Sequence, residues 1–175
     1  NKIIKFLILK TYKFADKIIT NSDRTTLDLS RYINKKVYTI YSKSIKKIKP
    51  FKKKHFKNIR IIWIGRLSEE KSFDTMIDAI NIIKDQDITV NVLSNLNNIN
   101  RYLKKIKNLK LVNKFKFLGY KNNLTEYFKT SNLCISTSFY ESFPNSVVQA
   151  INNSLPIISS NSHGGINDLI KNNYS

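Results

Sequence analysis

Carboxylates are scarce in this chain: 12 Asp and Glu stand against 31 Lys and Arg, a formal net charge of +19 over 175 residues. Such an imbalance points towards an anionic partner, whether nucleic acid, an anionic membrane face or an anionic substrate. It follows equally from a composition rich in Lys, Asn and Ile that spreads lysine over every solvated face, and composition alone leaves both readings open. Cysteine is nearly absent. The one thiol, Cys134, lies in an apolar stretch, so no disulfide can form within the chain; it reads as a plain core residue, and a cytoplasmic protein is expected. Long apolar runs are missing too. The opening Ile3 to Lys10 is too short and too broken by lysine to span a bilayer, and it lacks the small-residue cleavage site of a signal peptide. No basic motif interleaved with aromatics and no nucleic-acid signature is present, so nucleic acid is not an expected partner. The chain has no initiator Met and stops at Ser175 in what reads as a helix-to-loop transition, which gives the expectation of a fragment.

What is present is a globular composition, 41% apolar with charge interspersed, and an alternation of short apolar runs with helical patterns. The opening is helical. Ala15 to Ser22 follows as a short strand entering a polar turn, then a helix from Asp23 to about Tyr32 and a strand over Val37 to Tyr41. Lys43 to Lys57 is the densest basic run and reads as an exposed linker around Pro50, compatible with contact to anionic lipid headgroups. Arg60 to Gly65 is a buried strand. The helix over Ser72 to Lys84 places Phe73, Met76, Ile77 and Ile80 on a core face. Ile88 to Leu93 is a strand, Asn97 to Leu111 a helix, Phe115 to Tyr120 a strand ending at Gly119, and Asn122 to Thr130 a short helix. This βαβ rhythm predicts an α/β protein, a Rossmann-like parallel sheet with helices on both faces.

The most informative stretch runs from Leu133 to Gly165. Leu133 to Ser136 delivers a loop with a lone carboxylate, Glu141; Asn145 or Ser146 caps a helix whose Val147, Val148 and Ile151 face a core. Leu155 to Ser159 is the next strand, and Ser162 to Gly165 a glycine loop opening a further helix. Ligands of parallel α/β sheets bind at the carboxyl ends of strands, where helix N-termini offer N–H groups and positive dipole ends to anions. The four glycines of the chain, Gly65, Gly119, Gly164 and Gly165, all fall just after predicted strands on that edge. They imply tight turns or close backbone approach to a ligand. His163 could reach a bound ligand through the Gly164-Gly165 loop or belong to the loop alone, while Glu69 and Asp168 read as helix-terminal charges.

This run resembles the donor-site signature of the retaining glycosyltransferases of family 4, which have the two-domain GT-B fold. In that signature a Glu in a Glu-Gly-Phe-like turn is followed by a second Glu on the helix. Glu141 matches the first; Ser142 replaces the Gly, and Gln149 stands at the second. Gly65-Arg66 and Glu70-Lys71 match the family's Gly-Arg and Glu-Lys-Gly segment, with Ser72 in place of its last Gly. Ser42-Lys43-Ser44 replaces the usual Asn-Gly or Asn-Pro after the crossing strand.

The resemblance implies the C-terminal half of a GT-B glycosyltransferase. Residues 1–42 would end the N-terminal, acceptor-side domain, 43–58 form the basic linker, and 59–175 the donor-binding domain, truncated at its end. Glu141, Arg66 and Lys71 would be catalytic. Gly65, Gly119, Tyr120, Phe143, Pro144, Asn145, Ser146, Gln149, Gly164 and Gly165 would bind the donor. The implied donor is a nucleotide-diphosphate sugar, the acceptor a glycan or polyprenyl-linked lipid, and no metal or other cofactor is expected. A hexosyl- or N-acetylhexosaminyl-transferase of surface polysaccharide or lipopolysaccharide synthesis is implied, cytoplasmic and peripheral on the inner membrane face. The acceptor side is largely missing, so the fragment by itself is expected to be inactive. The rival reading is a nucleotide-sugar-binding module without turnover.

Overall fold

The structure is a computed structural model that describes residues 2–42 and 57–170. The expected basic linker therefore lies, but for its last two positions, outside the described residues, as does the end of the chain from 171. In chain order the helices are α1 (Lys2–Thr11), α2 (Asp23–Ile33), α3 (Phe73–Ile82), α4 (Ile99–Asn108), α5 (Thr125–Lys129), α6 (Asn145–Asn152) and α7 (Ile166–Leu169). The strands are β1 (Ile19–Thr20), β2 (Tyr38–Thr39), β3 (Ile59–Ile64), β4 (Ile88–Leu93), β5 (Phe115–Phe117), β6 (Leu133–Ser136), β7 (Tyr140–Glu141), β8 (Ile157–Ser159) and β9 (His163–Gly164). They fall into two compact units. Among the described residues, the first unit holds those up to 42 with 141–144 and 163–170, and the second holds 57–140 and 145–162.

The second unit is a five-stranded sheet in the order β5-β4-β3-β6-β8, every pair parallel. β3 is its centre because its residues are apolar on both sides: Ile61 and Trp63 enter one core layer, Ile62 the other. The first layer takes Phe73, Met76, Ile77 and Ile80 of α3 and Tyr102 and Ile106 of α4. Phe73 is its hub, with its ring 4.7 Å from Trp63, 5.2 Å from Tyr102 and 5.9 Å from Phe115. The second layer joins Ile62, Leu93, Phe128, Cys134, Ala150 and Leu155. Two expectations for α6 need correction. The helix begins at Asn145, which therefore lies inside its first turn instead of capping it. Ile151 is 42% exposed, while Ala150 is fully buried. The small alanine lets the helix lie close on the second layer, and Ile151 falls in its last turn, outside the packing.

Cys134 is buried in that layer and burial pushes its thiol up to about 12. The thiolate is the reactive form, so the folded chain should resist aromatic disulfide reagents at neutral pH and react fully once unfolded in urea. Rapid labelling of the native chain, followed by absorbance, would contradict this packing.

The first unit pairs β1 with β2 in parallel and, through Glu141, the end of β7 with β9. Ser22 caps α2 by accepting from the Thr25 N–H, and Asn34 ends it in the left-handed conformation (φ 49°). Asp168 accepts from the Asp23 N–H at 2.8 Å, so it is a helix-terminal charge as expected. The glycine loop expected at Ser162 to Gly165 opens a helix, α7, as expected, and also contains the two-residue strand β9, paired with β7. The Gly165 N–H donates to the Glu141 carbonyl at 2.8 Å, which closes that loop against β7.

Candidate functional site

The order of the large sheet contains a switch point. From β3 the chain steps outward to β4 and β5, then returns to place β6 on the other flank of β3. Connections leaving β3 and β6 thus diverge, and the crevice they open lies at the carboxyl ends of these two strands.

On the β3 side, the Gly65 N–H donates to the Leu93 carbonyl at 3.2 Å, and a Cβ on Gly65 would stand 3.2 Å from the Trp63 ring. Arg66 follows, 72% exposed, with its guanidinium 2.9 Å from Glu70 Oε1. The Ser68 hydroxyl, then the Glu70 backbone N–H and the Arg66 charge, hold the Glu70 carboxyl below the ordinary carboxylate range. A 3-10 turn, Glu69–Lys71, carries Lys71 to the entry of α3. Ser72, where the resemblance has glycine, is left-handed at φ 46° and shares a hydrogen bond with Thr75 Oγ1 at 2.7 Å. On the β6 side, Thr137 and Ser138 are buried. The Ser160 hydroxyl donates to the Ser138 carbonyl at 2.6 Å. Gly119 follows β5 at φ 75° with open space around it, and Tyr120 is 73% exposed beside it. On α6, Asn145 is exposed and Ser146 and Gln149 are half-buried. The second unit thus gathers Gly65, Arg66, Lys71, Gly119 and Tyr120 at its carboxyl edge, and presents Asn145, Ser146 and Gln149 on the first two turns of α6.

Glu141, Phe143, Pro144, Gly164 and Gly165 belong to the first unit. The close approach at its two glycines is made by the chain itself: a Cβ on Gly164 would run into the Glu141 carbonyl, and one on Gly165 would stand 2.5 Å from the Ser142 carbonyl. Phe143 and Pro144 are buried, and the Phe143 ring lies 6.0 Å from Tyr41. The Tyr41 hydroxyl donates to Asp23 at 2.7 Å, which lowers the carboxyl and raises the phenol to about 12. His163 is 2.6 Å from Asp28.

Three residues of the β3–β6 crevice escaped sequence reasoning: Trp63, Glu70 as partner of Arg66, and Thr137. The Arg66–Glu70 spacing of one helical turn was a usable signal. Nothing in the sequence pairs Trp63 with Thr137. The chain also holds one Asp-x-Asp triplet, Asp85-Gln86-Asp87. It precedes β4, at the amino edge of the sheet, and Asp87 accepts from Asn58. Among the described residues no group of three or more His, Cys, Asp or Glu could hold a metal, and no helix is long and apolar enough to cross a membrane.

The family described as glycosyl transferases group 1 matches residues 44–175. The chain belongs to this family. Its fold is that of GT-B glycosyltransferases. This group 1 chain is 27% identical to an uncharacterized glycosyltransferase, MJ1059, of Methanocaldococcus jannaschii, over 97% of the chain and 46% of that protein. It is 25% identical to the amylovoran biosynthesis glycosyltransferase AmsD of Erwinia amylovora, over 91% of the chain and 47% of AmsD. The chain spans about half the length of these curated relatives. Its structure matches a variant of TarM from S. aureus, solved with fondaparinux, α-GlcNAc-glycerol and UDP. That match has a TM-score of 0.82 at 21% identity, covering 99% of this chain and 35% of TarM.

Proposed function

We propose that this chain is the donor-binding part of a retaining, family 4 glycosyltransferase. The whole protein would move a hexosyl or N-acetylhexosaminyl group from a nucleotide-diphosphate sugar to a glycan or polyprenyl-linked acceptor in surface polysaccharide synthesis, at the cytoplasmic face of the membrane. The observation that carries this reading is the switch point between β3 and β6, with Gly65, Arg66 and Lys71 on the connection leaving β3. A guanidinium fork and an ammonium at that edge suit a diphosphate, and charge developing on the leaving group would be stabilised there without a metal. Glu141 would contact the donor sugar, the backbone from Phe143 to Ser146 would cradle sugar and phosphate, and Gly119-Tyr120 would approach the base.

Calorimetric titration of the chain with UDP, GDP and ADP at moderate salt tests this. One of the three should bind; a folded chain that binds none would overturn the donor assignment. Gln149 stands where the resemblance places a ribose-binding Glu. An amide accepts hydrogen bonds from a diol less strongly than a carboxylate, so Gln149→Glu should tighten nucleotide binding by about 1 kcal/mol. Unchanged affinity would remove Gln149 from the site.

The left-handed Ser72, together with Gln149, favours one second reading: a module that holds a nucleotide sugar without turning it over. Transfer or donor hydrolysis by the whole protein separates the two.

A further inference from the structure

At the base of the crevice, residues 74 positions apart form a hydrogen-bond relay. The Trp63 Nε1–H donates to Thr137 Oγ1 at 3.0 Å, and the Thr137 hydroxyl donates to the Lys71 carbonyl at 2.8 Å. Its direction is fixed by chemistry. An indole N–H can only donate and a carbonyl can only accept, so the single hydroxyl proton must point at Lys71. Trp63 is 2% and Thr137 7% exposed, so the indole bond is shielded from water, and the bond to Lys71 is part-buried. Beside it the Phe139 N–H donates to the Glu70 carbonyl at 2.8 Å. These two bonds tie the turn carrying Glu70 and Lys71 to the connection leaving β6, across the switch point. Glu69–Lys71 is a single 3-10 turn ending in the left-handed Ser72, a short piece of backbone with little stiffness of its own.

We infer that Thr137 is a positioning residue for the diphosphate-binding turn: oriented by Trp63, it fixes the backbone at Lys71 and so the place of the ammonium group. This rests on the donor reading given above. Thr137 would touch no substrate, and its effect on binding would pass entirely through Lys71.

The test uses the whole chain, with the nucleotide that binds best in calorimetry. Thr137→Val keeps the shape and removes the hydroxyl, and should weaken binding about tenfold, whereas Thr137→Ser should restore it. In a Lys71→Ala background, Thr137→Val should change nothing further, because the group it positions is gone. Full affinity in Thr137→Val, no rescue by serine, or losses that add with Lys71→Ala would each overturn the inference. Thr137→Val leaves the Trp63 N–H buried without a partner; if that variant fails to fold, Thr137→Val with Trp63→Phe removes the orphan donor and is measured instead. Amide exchange of the unliganded chain separates the relay from the donor reading. Exchange at Lys71 and Ser72 should quicken in Thr137→Val and recover in Thr137→Ser. If no nucleotide binds the wild type, the donor reading falls, and unchanged exchange would overturn the relay as well.

Discussion

Replacing Gly164 by alanine is expected to cost roughly 3–4 kcal/mol and to release the pairing of β7 with β9. Two separate penalties meet at this residue. Its φ of 122° lies in a region essentially reserved for glycine, where another residue costs on the order of 1–3 kcal/mol. A methyl group there would also drive into the Glu141 carbonyl, and overpacking of this kind adds typically about 1–3 kcal/mol. The obstructing atom is backbone, and it cannot swing away as a side chain would. That same carbonyl accepts the Gly165 N–H at 2.8 Å, so relief of the clash breaks the bond that closes the loop. Gly119 provides the internal control. Its φ is 75° but no atom lies within 4 Å of a built Cβ, so Gly119→Ala should cost only about 1–2 kcal/mol. Urea denaturation of the two variants, with amide exchange at Gly165, measures both. Equal losses would show that the close approach at Gly164 does not constrain the chain.

The contrast between these glycines shows what was legible in the sequence. By sequence all four follow strands, which implies a tight turn or close backbone approach to a ligand. The structure shows a left-handed backbone at Gly119 and a backbone crossing at Gly164 and Gly165, made with Glu141 and Ser142 more than twenty positions earlier. No local pattern reports such a crossing. Strands and helices were legible because apolar periodicity is local: Phe73, Met76, Ile77 and Ile80 read as a core face and are all buried. Sheet order was not legible. Five parallel strands separated by helices allow several orders, and nothing local selects the observed one, which sets β6 beside β3. That neighbourhood creates the crevice, the Trp63–Thr137 bond and the approach of the β6 connection to Glu70. The motif residues could thus be named from type and spacing, whereas the residues that hold them in place could not. Ile151 failed for a related reason, since periodicity assigns a face but not how closely a small neighbour such as Ala150 draws the helix in.

The second large effect is expected at Arg66, and its sign pattern distinguishes a binding group from a surface ion pair. Arg66 and Glu70 are 2.9 Å apart with side chains 72% and 39% exposed, and exposed pairs of this kind contribute only about 0–1 kcal/mol. The guanidinium is therefore cheaply withdrawn from Glu70 for a diphosphate, with which it can form paired charge-assisted bonds worth about 1.5–3 kcal/mol. Arg66→Ala should then weaken nucleotide binding roughly 10- to 100-fold while leaving stability almost unchanged. Glu70 acts in the opposite sense. Its carboxyl is held below the ordinary range, chiefly by the Ser68 hydroxyl, so it is ionised at neutral pH and both competes for Arg66 and repels the anion. Glu70→Gln should tighten binding by about 1 kcal/mol, the scale of one charge pair a few ångströms apart in a well-solvated site. If Arg66 and Glu70 mattered only to each other, each substitution would lower stability slightly and neither would move affinity. Calorimetry at two salt concentrations decides between these outcomes. In the donor reading Arg66→Ala flattens the salt dependence and Glu70→Gln does not, because only the first removes a cation that meets the phosphates.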